Sequence, residues 1–448
     1  MVIDPVSRPR SIPALVLGLV LVFALALPAK AMTLLRDADI EHGLTQLAGP
    51  VLRAAGLSPQ RVRIYVVDQS SLNAFVLDNR SIFVTRGLIQ KVDRADMLQA
   101  ILAHEAAHIA NGHIARRSDN FRSAKTAGGF GLALAIIAAA AGAGEAASGI
   151  VAGTQSSALR NFLKHTRAEE ASADRSAAGF MRQAGIDPQG LVDLHRLFHG
   201  QELLSVGRQD PYMRSHPLTR DRIRAAEAYV AAYGGSTDPN PNTAYWFARL
   251  RGKLTAFTTA PKWTFRRITS ESYKDVAYMR EAVAHHRGHD LEKALHAIDR
   301  AIALRPKDGF YQELKGQILM ENRQTKSAIA AYRKAATLAP KQPLILGGLG
   351  RSLLADGQPR AALKELERAR ARDFRDARLL RDMSVAYAKT GQTGMAALVT
   401  GERYALQGRM EDAHRQARRA VGLLPNGSPA WQRAQDVLIA SEKYLKRK

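Results

Sequence analysis

The chain has 448 residues, 65 Lys and Arg against 41 Asp and Glu, a net charge of +24 and no cysteine. The absence of thiols excludes a disulfide framework, a cysteine zinc site, an iron–sulfur cluster and a thiol nucleophile, and an apolar share of 46% excludes a largely disordered chain. The length suggests two or three domains, and the charge favours acidic partners: nucleic acid, anionic headgroups or acidic protein.

Arg8 and Arg10 precede an uncharged apolar run from Ile12 to Leu27, and Ala29-Lys30-Ala31 offers a small-x-small cleavage site. Residues 1–31 therefore read as a secretory signal cleaved after Ala31. The alternative is a retained N-terminal anchor, although the run is shorter than the roughly 20 residues of a membrane span. Cleavage removes Asp4, Arg8, Arg10 and Lys30 and takes the net charge from +24 to +22. An exported basic chain is expected to meet a membrane surface or an envelope protein rather than nucleic acid. Independence from disulfides suits a bacterial periplasm.

Val62 to Val67, Leu72 to Val76 and Ser81 to Thr85 are short runs rich in β-branched and aromatic residues, and they predict three strands. Asp78-Asn79-Arg80 is a plausible hairpin turn between the last two. From Asp93 the pattern turns helical. Early strands followed by helices argue an α+β first domain, mostly helical with a small sheet.

His104-Glu105-Ala106-Ala107-His108 lies in that first helical stretch. On a helix, i and i+4 share a face, so both imidazoles can reach one Zn²⁺. Glu105 is placed to take a proton from water beside the metal. Ile101, Leu102, Ala103 and Ile109 make the neighbourhood apolar, which a mere charged surface face would not be. His113 falls five residues beyond His108, off the metal face, and reads as structural or surface. A catalytic zinc needs a third protein ligand. No third His follows at the metzincin spacing, so a Glu from a second helix is expected. Thr166 to Arg175 supplies the candidates: Glu170 and Asp174 are i and i+4 on one face, and Asp174 is placed to accept a hydrogen bond from a ligating His.

Between these segments, Ala127 to Gly144 carries no charge and is dominated by Ala and Gly. It reads as a helical hairpin over the active site or as a segment that dips into the membrane. Gly234 to Asn242 is a breaker cluster and marks a boundary. The expected division is a signal peptide (1–31), a peptidase domain (32–233), a connector (234–275) and a repeat domain (276–448).

The last domain repeats. Ala294, Ala328 and Ala362 lie 34 residues apart, with Pro306, Pro340 and Phe374 twelve residues after them and Ala282, Gly316 and Gly350 twelve before. Ser384, Tyr387 and Ala396 continue the series. A half-period match (Gly401, Tyr404, Ala413, Ala417, Ala420, Pro425) follows, and 429–445 reads as a cap. This is the tetratricopeptide (TPR) period, and it predicts an all-α superhelix with a concave surface for protein partners. Residues 276–448 hold 32 bases and 18 acids, so the array carries most of the positive charge. His285, His286 and His289 read as a solvated face.

HEAAH, the downstream Glu170-x-x-Ala173-Asp174 and a later His216-Pro217 together resemble the BepA-like (YfgC) zinc metallopeptidases of the bacterial periplasm. Their wider gluzincin family includes HtpX and the CAAX prenyl protease. The signal, single peptidase domain and TPR array match that arrangement over nearly the whole chain. The resemblance implies a zincin-like domain with one Zn²⁺ per chain, held by His104, His108 and Glu170 rather than Glu169. It implies that His216 and Arg222, within His216-Pro217-Leu218-Thr219-Arg220-Asp221-Arg222, contact the tetrahedral oxyanion, and that the His216 loop covers the metal as an inhibitory ligand. Asn73-Ala74-Phe75 matches an element ahead of the catalytic helix. With Phe83 and its strand, it is assigned to pairing with an extended substrate. The implied function is proteolysis of misfolded or stalled outer-membrane and envelope proteins, with a chaperone-like role beside the β-barrel assembly machinery through the TPR domain; peripheral membrane contact is an expectation of the basic charge instead. The rival readings are a TPR scaffold whose peptidase is normally latent, and a membrane-embedded peptidase of the HtpX kind.

Overall fold

The computed structural model describes residues 33–116, 166–205, 208–233 and 241–446. The expected signal, the uncharged 127–144 segment and most of the Gly/Asn/Pro breaker (234–240) lie outside the described residues.

Four short strands form one mixed sheet: β1 (Leu34–Leu35), β2 (Arg63–Val67), β3 (Ala74–Asp78) and β4 (Ser81–Thr85), in the order β1-β2-β4-β3. β2 and β4 run parallel, and the outer pairs are antiparallel. Strand alternation sorts the side chains. Ile64, Val66, Ala74, Val76, Ile82 and Val84 join the main core. Tyr65, Phe83 and Phe75 stack as a ladder on the opposite face, with ring centroids 5.4 and 5.3 Å apart. Helix α1 (Ala38–Ala54) and the short α2 (Arg86–Lys91) are elements the strand-then-helix reading does not contain. Asp37 caps α1 by accepting from the backbone N–H groups of Asp39 and Ile40.

The sheet and α1 pack on α3 (Ala95–Ala110), whose residues from Met97 to Ile109 are all buried. A helix with no solvated face belongs in a domain interior, and this one carries the HEAAH motif. α4 (Arg167–Gln183), α5 (Gln189–Phe198), α6 (Pro211–Ser215) and α7 (Arg220–Tyr233) surround it. The approach of α5 is close: a Cβ at Gly190 would lie 2.4 Å from the Asp96 carbonyl oxygen, so only glycine fits. Thr166 and Glu169 form a capping box at the start of α4. That spends Glu169 on the helix end and leaves Glu170 facing inward.

The stretch read as a connector contains α8 (Pro241–Thr258) and α9 (Pro261–Arg267). Phe247, Leu250 and Leu254 of α8 belong to the first core, whereas Tyr245 and Ala256 belong to the next. α8 therefore joins the two bodies as a shared wall. Five antiparallel pairs follow: α10 (Lys274–Arg287) with α11 (Leu291–Leu304), α12 (Gly309–Glu321) with α13 (Thr325–Leu338), α14 (Pro343–Ala355) with α15 (Pro359–Arg370), α16 (Ala377–Lys389) with α17 (Thr393–Leu406), and α18 (Met410–Leu423) with α19 (Pro429–Leu445). Ala294, Ala328 and Ala362 are fully buried. A Cβ at Gly350 would meet Leu366 at 2.6 Å, which shows how tightly the small positions bring paired helices together. α17 packs on both α16 and α18, so it serves two units. The fold is thus a mostly helical α+β domain followed by an all-α repeat superhelix. Among the described residues no helix is long and apolar enough to cross a membrane.

Candidate metal centre

Four segments build the site. Buried α3 supplies His104, Glu105 and His108, and α4 supplies Glu170 and Asp174. The turn after α6 supplies His216, and α7 supplies Arg222. All seven are buried.

Ligand atoms of His104, His108, Glu170 and His216 lie within 4.8 Å of one another. His104 Nε2 is 3.1 Å from His108 Nε2, 3.4 Å from His216 Nδ1 and 3.4 Å from Glu170 Oε2. Glu170 Oε1 is 3.4 Å from His108 Nε2 and 3.0 Å from His216 Nδ1. Three imidazole nitrogens and a carboxylate converge here with too few protons to pair them all. Nitrogen and oxygen donors held about 2.0–2.1 Å from one tetrahedral ion would stand about 3.3 Å apart, so the donor set and its spacing fit a zinc-sized cation.

The groups behind the cluster orient it. Asp174 Oδ1 lies 2.9 Å from His104 Nδ1. An ionised carboxylate only accepts, so the His104 proton sits on Nδ1 and Nε2 presents its lone pair to the centre. His113 Nδ1 lies 2.8 Å from His108 Nδ1 and accepts its proton in the tautomer that turns the His108 Nε2 lone pair to the centre. Arg222 grips Asp174 with Nε at 2.6 Å and Nη2 at 2.9 Å, while its Nη1 lies 2.8 Å from Glu170 and donates to the Pro217 carbonyl. The guanidinium thus faces carboxylates in this structure. Glu105 Oε1 lies 3.5 Å from His216 Nε2.

Residues 35–230 match the profile of peptidase family M48, and residues 319–383 match a tetratricopeptide repeat profile. The first body is a peptidase family M48 domain. The chain is 22% identical over 318 residues to the beta-barrel assembly-enhancing protease of Yersinia pestis, an alignment covering 68% of this chain and 63% of that one. To the beta-barrel assembly-enhancing protease of Escherichia coli (strain K12) it is 23% identical over 360 residues, covering 78% and 72%. To the mitochondrial metalloendopeptidase OMA1 of Schizosaccharomyces pombe it is 29% identical over 183 residues, covering 40% and 50%. The chain therefore spans a little under two thirds of the Yersinia pestis relative. An M48 domain followed by TPR repeats is the architecture.

The electrostatics of the M48 domain follow from burial opposed by partners. Among the protein groups alone, burial works against charge on His104, but hydrogen bonds and charges from Asp174 and Glu170 outweigh it and push the imidazole up to about 10. A metal binding at Nε2 would displace the proton there. Burial dominates at His108 and holds it well below its ordinary value, hence neutral. Glu170 and Asp174 would be raised by burial. His216 and Arg222 instead hold Glu170 well below the usual carboxylate range, and Arg222 and His195 do the same for Asp174.

The structure gathers His104, Glu105, His108, Glu170, Asp174, His216 and Arg222 into one cluster. Ala74 reaches it through its carbonyl, 3.2 Å from His216 Nε2. Asn73 stays beside Thr85, whose Oγ1 accepts its N–H at 2.9 Å. Phe75 and Phe83 sit in the aromatic ladder on the far face of the sheet. Two residues were not legible in the sequence. His195 of α5 lies 3.6 Å from Asp174, and Tyr212 of α6 packs its ring 4.6 Å from that of His216. No spacing connects either to the HEAAH motif, and only the packing of α5 and α6 onto α3 and α4 brings them in.

Proposed function

We propose that this chain is a zinc metalloendopeptidase of the bacterial periplasm that hydrolyses misfolded or stalled outer-membrane and other envelope proteins, with its TPR array contacting clients or the β-barrel assembly machinery. The names of the relatives support the envelope role. The observation that carries the chemistry is the convergence of His104, His108, Glu170 and His216 beside Glu105. The expected boundaries at 233 and 276 are proposed on the same footing, with α8 as the helix shared by the two cores.

His104, His108 and Glu170 would hold the metal. Bound there, zinc would supply a Lewis acid for the scissile carbonyl and acidify water toward neutral pH. Glu105 is the base that takes the water proton and returns it to the leaving amine. Asp174 and His113 fix the tautomers of the two histidines. Arg222 holds Asp174 and Glu170 in place, a positioning role that would precede any contact with an oxyanion.

A second reading, a site that is normally latent, is favoured by His216. Its Nδ1 takes the fourth ligand position, while its Nε2 lies against Ala74 O on the edge strand β3. One side chain thereby covers the open metal position and the main-chain acceptor an extended substrate would use. The deciding experiment measures metal content and casein cleavage for wild type, Glu105→Gln and His216→Ala. One zinc in all three, cleavage about 10³-fold lower in Glu105→Gln and several-fold higher in His216→Ala, is expected. Cleavage surviving in Glu105→Gln would sink the mechanism, and unchanged or lower cleavage in His216→Ala would sink the latent reading.

A further inference from the structure

Away from the metal centre, α9 carries the sequence Pro261-Lys262-Trp263-Thr264-Phe265-Arg266-Arg267. Thr264 is 1% exposed and seats the helix on the molecule, yet Trp263 and Phe265 on its flanks are 47% and 37% exposed. Lys262, Arg266 and Arg267 are all exposed. None of the three has a carboxylate partner among the described residues. No acid occurs from Lys253 to Ser270, and the first one after it, Glu271, is taken by Arg280 at 2.7 Å. Arg266 lies over the Trp263 ring at 5.2 Å. The local field is positive enough to act on a neighbour: Arg251 is pushed below its ordinary value, first by burial and then also by the Arg267 and Arg280 charges.

Exposing two aromatic rings to water is unfavourable, and leaving three cations unpaired beside them adds mutual repulsion. Both costs are relieved together by one kind of surface, with apolar material at the depth of the rings and negative charge at their edges. Cations stand at both ends of the aromatic pair. That is the composition of an interfacial contact, in which the rings enter the acyl boundary and Lys and Arg remain among the headgroups. An acidic protein would satisfy the cations but would ordinarily meet an apolar centre depleted of charge.

We propose that α9 is a membrane-surface contact that binds anionic lipid headgroups through Lys262, Arg266 and Arg267 and inserts Trp263 and Phe265. This is independent of the peptidase reading, and either can fail alone. Each cation near an anionic surface is worth a factor of about five in partitioning.

The test is partitioning of the chain, purified after export from expressing cells, onto vesicles of phosphatidylcholine with and without phosphatidylglycerol. Fluorescence quenching by brominated lipid reads the position of Trp263. Binding that requires phosphatidylglycerol and weakens with salt is expected. K262Q/R266Q/R267Q should weaken it about a hundred-fold, and W263F should remove the quenched component. W263A/F265A should weaken binding about ten-fold with the charges intact. Casein cleavage and melting temperature should be unchanged in all three variants, which shows that they are folded. Equal partitioning of wild type and K262Q/R266Q/R267Q would overturn the proposal. So would charge-dependent binding without quenching of Trp263, which would mark a patch for an acidic protein instead.

Discussion

Two regions of this molecule bury charged groups, and they do so in opposite ways. In the candidate metal centre, nitrogen and oxygen donors from α3, α4 and the turn after α6 point at one another, the donor set that the proposed cation would take. At the junction between the M48 domain and the TPR array the chain supplies its own cations. Arg249 lies 2.8 Å from Asp39 and donates to Asp308. Lys253 lies 2.9 Å from Asp37 and 3.7 Å from both Asp39 and Glu313. Arg36 and Arg63 each meet Asp373 at 2.8 Å. Arg249 and Lys253 are essentially inaccessible to water. A buried pair is weak evidence for stability in itself, because desolvation opposes the Coulomb gain, but removing one partner is costly. The comparison teaches that lone-pair donors converging on one point mark chemistry even where a single cation, Arg222, braces them from behind, whereas acids each matched by a buried Lys or Arg mark a fixed joint.

The strongest way to break this comparison is at Lys253. Replacement by Met takes from Asp37 its cation and leaves Asp39 with Arg249 alone, and a loss of about 3–5 kcal/mol is expected in denaturant unfolding. A loss under about 1 kcal/mol would mean that the junction is solvated and not a fixed joint. Next is Asp174→Asn. It should weaken metal affinity about 10–100-fold, because His104 loses the acceptor that sets its tautomer, with little change in unfolding of the repeat array. Chelation should then lower the melting temperature of wild type more than that of Asp174→Asn, since a ligand at free concentration L stabilises by RT ln(1 + L/Kd) and a tighter site gains more.

The smallest effect is a pH dependence with two limbs. Burial, helped by Asp37 and Asp39 and opposed by Lys253, pushes Glu313 up to about 7. A raised carboxylate contributes stability that is full below its unfolded value, near 4.3, and lost as pH rises through 7. Burial would also raise Asp308, but Arg249 outweighs it and holds the carboxyl below its ordinary value. That contribution is present above about 3.9 and is lost as pH falls through the folded value. Glu313→Gln should therefore flatten the decline in melting temperature between pH 5 and about 8 while leaving the acid limb unchanged. Loss of the acid limb in that variant would show that the two carboxyls act as one group.

Local regularity made part of this legible. The three strands were expected at nearly their observed positions because β-branched runs alternate over short windows. The 34-residue period marked helix pairs because each pair needs small residues where it closes, as Gly350 against Leu366 shows. Helix α1 was missed. Its apolar residues are interrupted by Gly43, Gly49 and Pro50, which weaken the periodicity while its buried side stays continuous. Phe75 and Phe83 are assigned by sequence to strands that pair with an extended substrate, and the pleat sends their rings to the face opposite the core, where Tyr65 completes the ladder.

What the sequence by itself determined was whatever depends on short spacings. HEAAH puts two imidazoles on one helix face, Glu170 and Asp174 repeat the same i, i+4 geometry, and the TPR period dictates paired helices. The tertiary structure decided everything that joins distant segments. It put His216 Nδ1 within 3.0 Å of Glu170 and 3.4 Å of His104, turned Arg222 onto Asp174 and Glu170, and brought in His195 and Tyr212. It also made the presumed connector a shared wall whose Arg249 and Lys253 meet acids some 210 residues earlier and 60 later. The physical reason is range. Helix and strand periods act over a few residues and can be read along the chain. Burial and charge pairing act between surfaces whose meeting is settled only when the whole chain has packed.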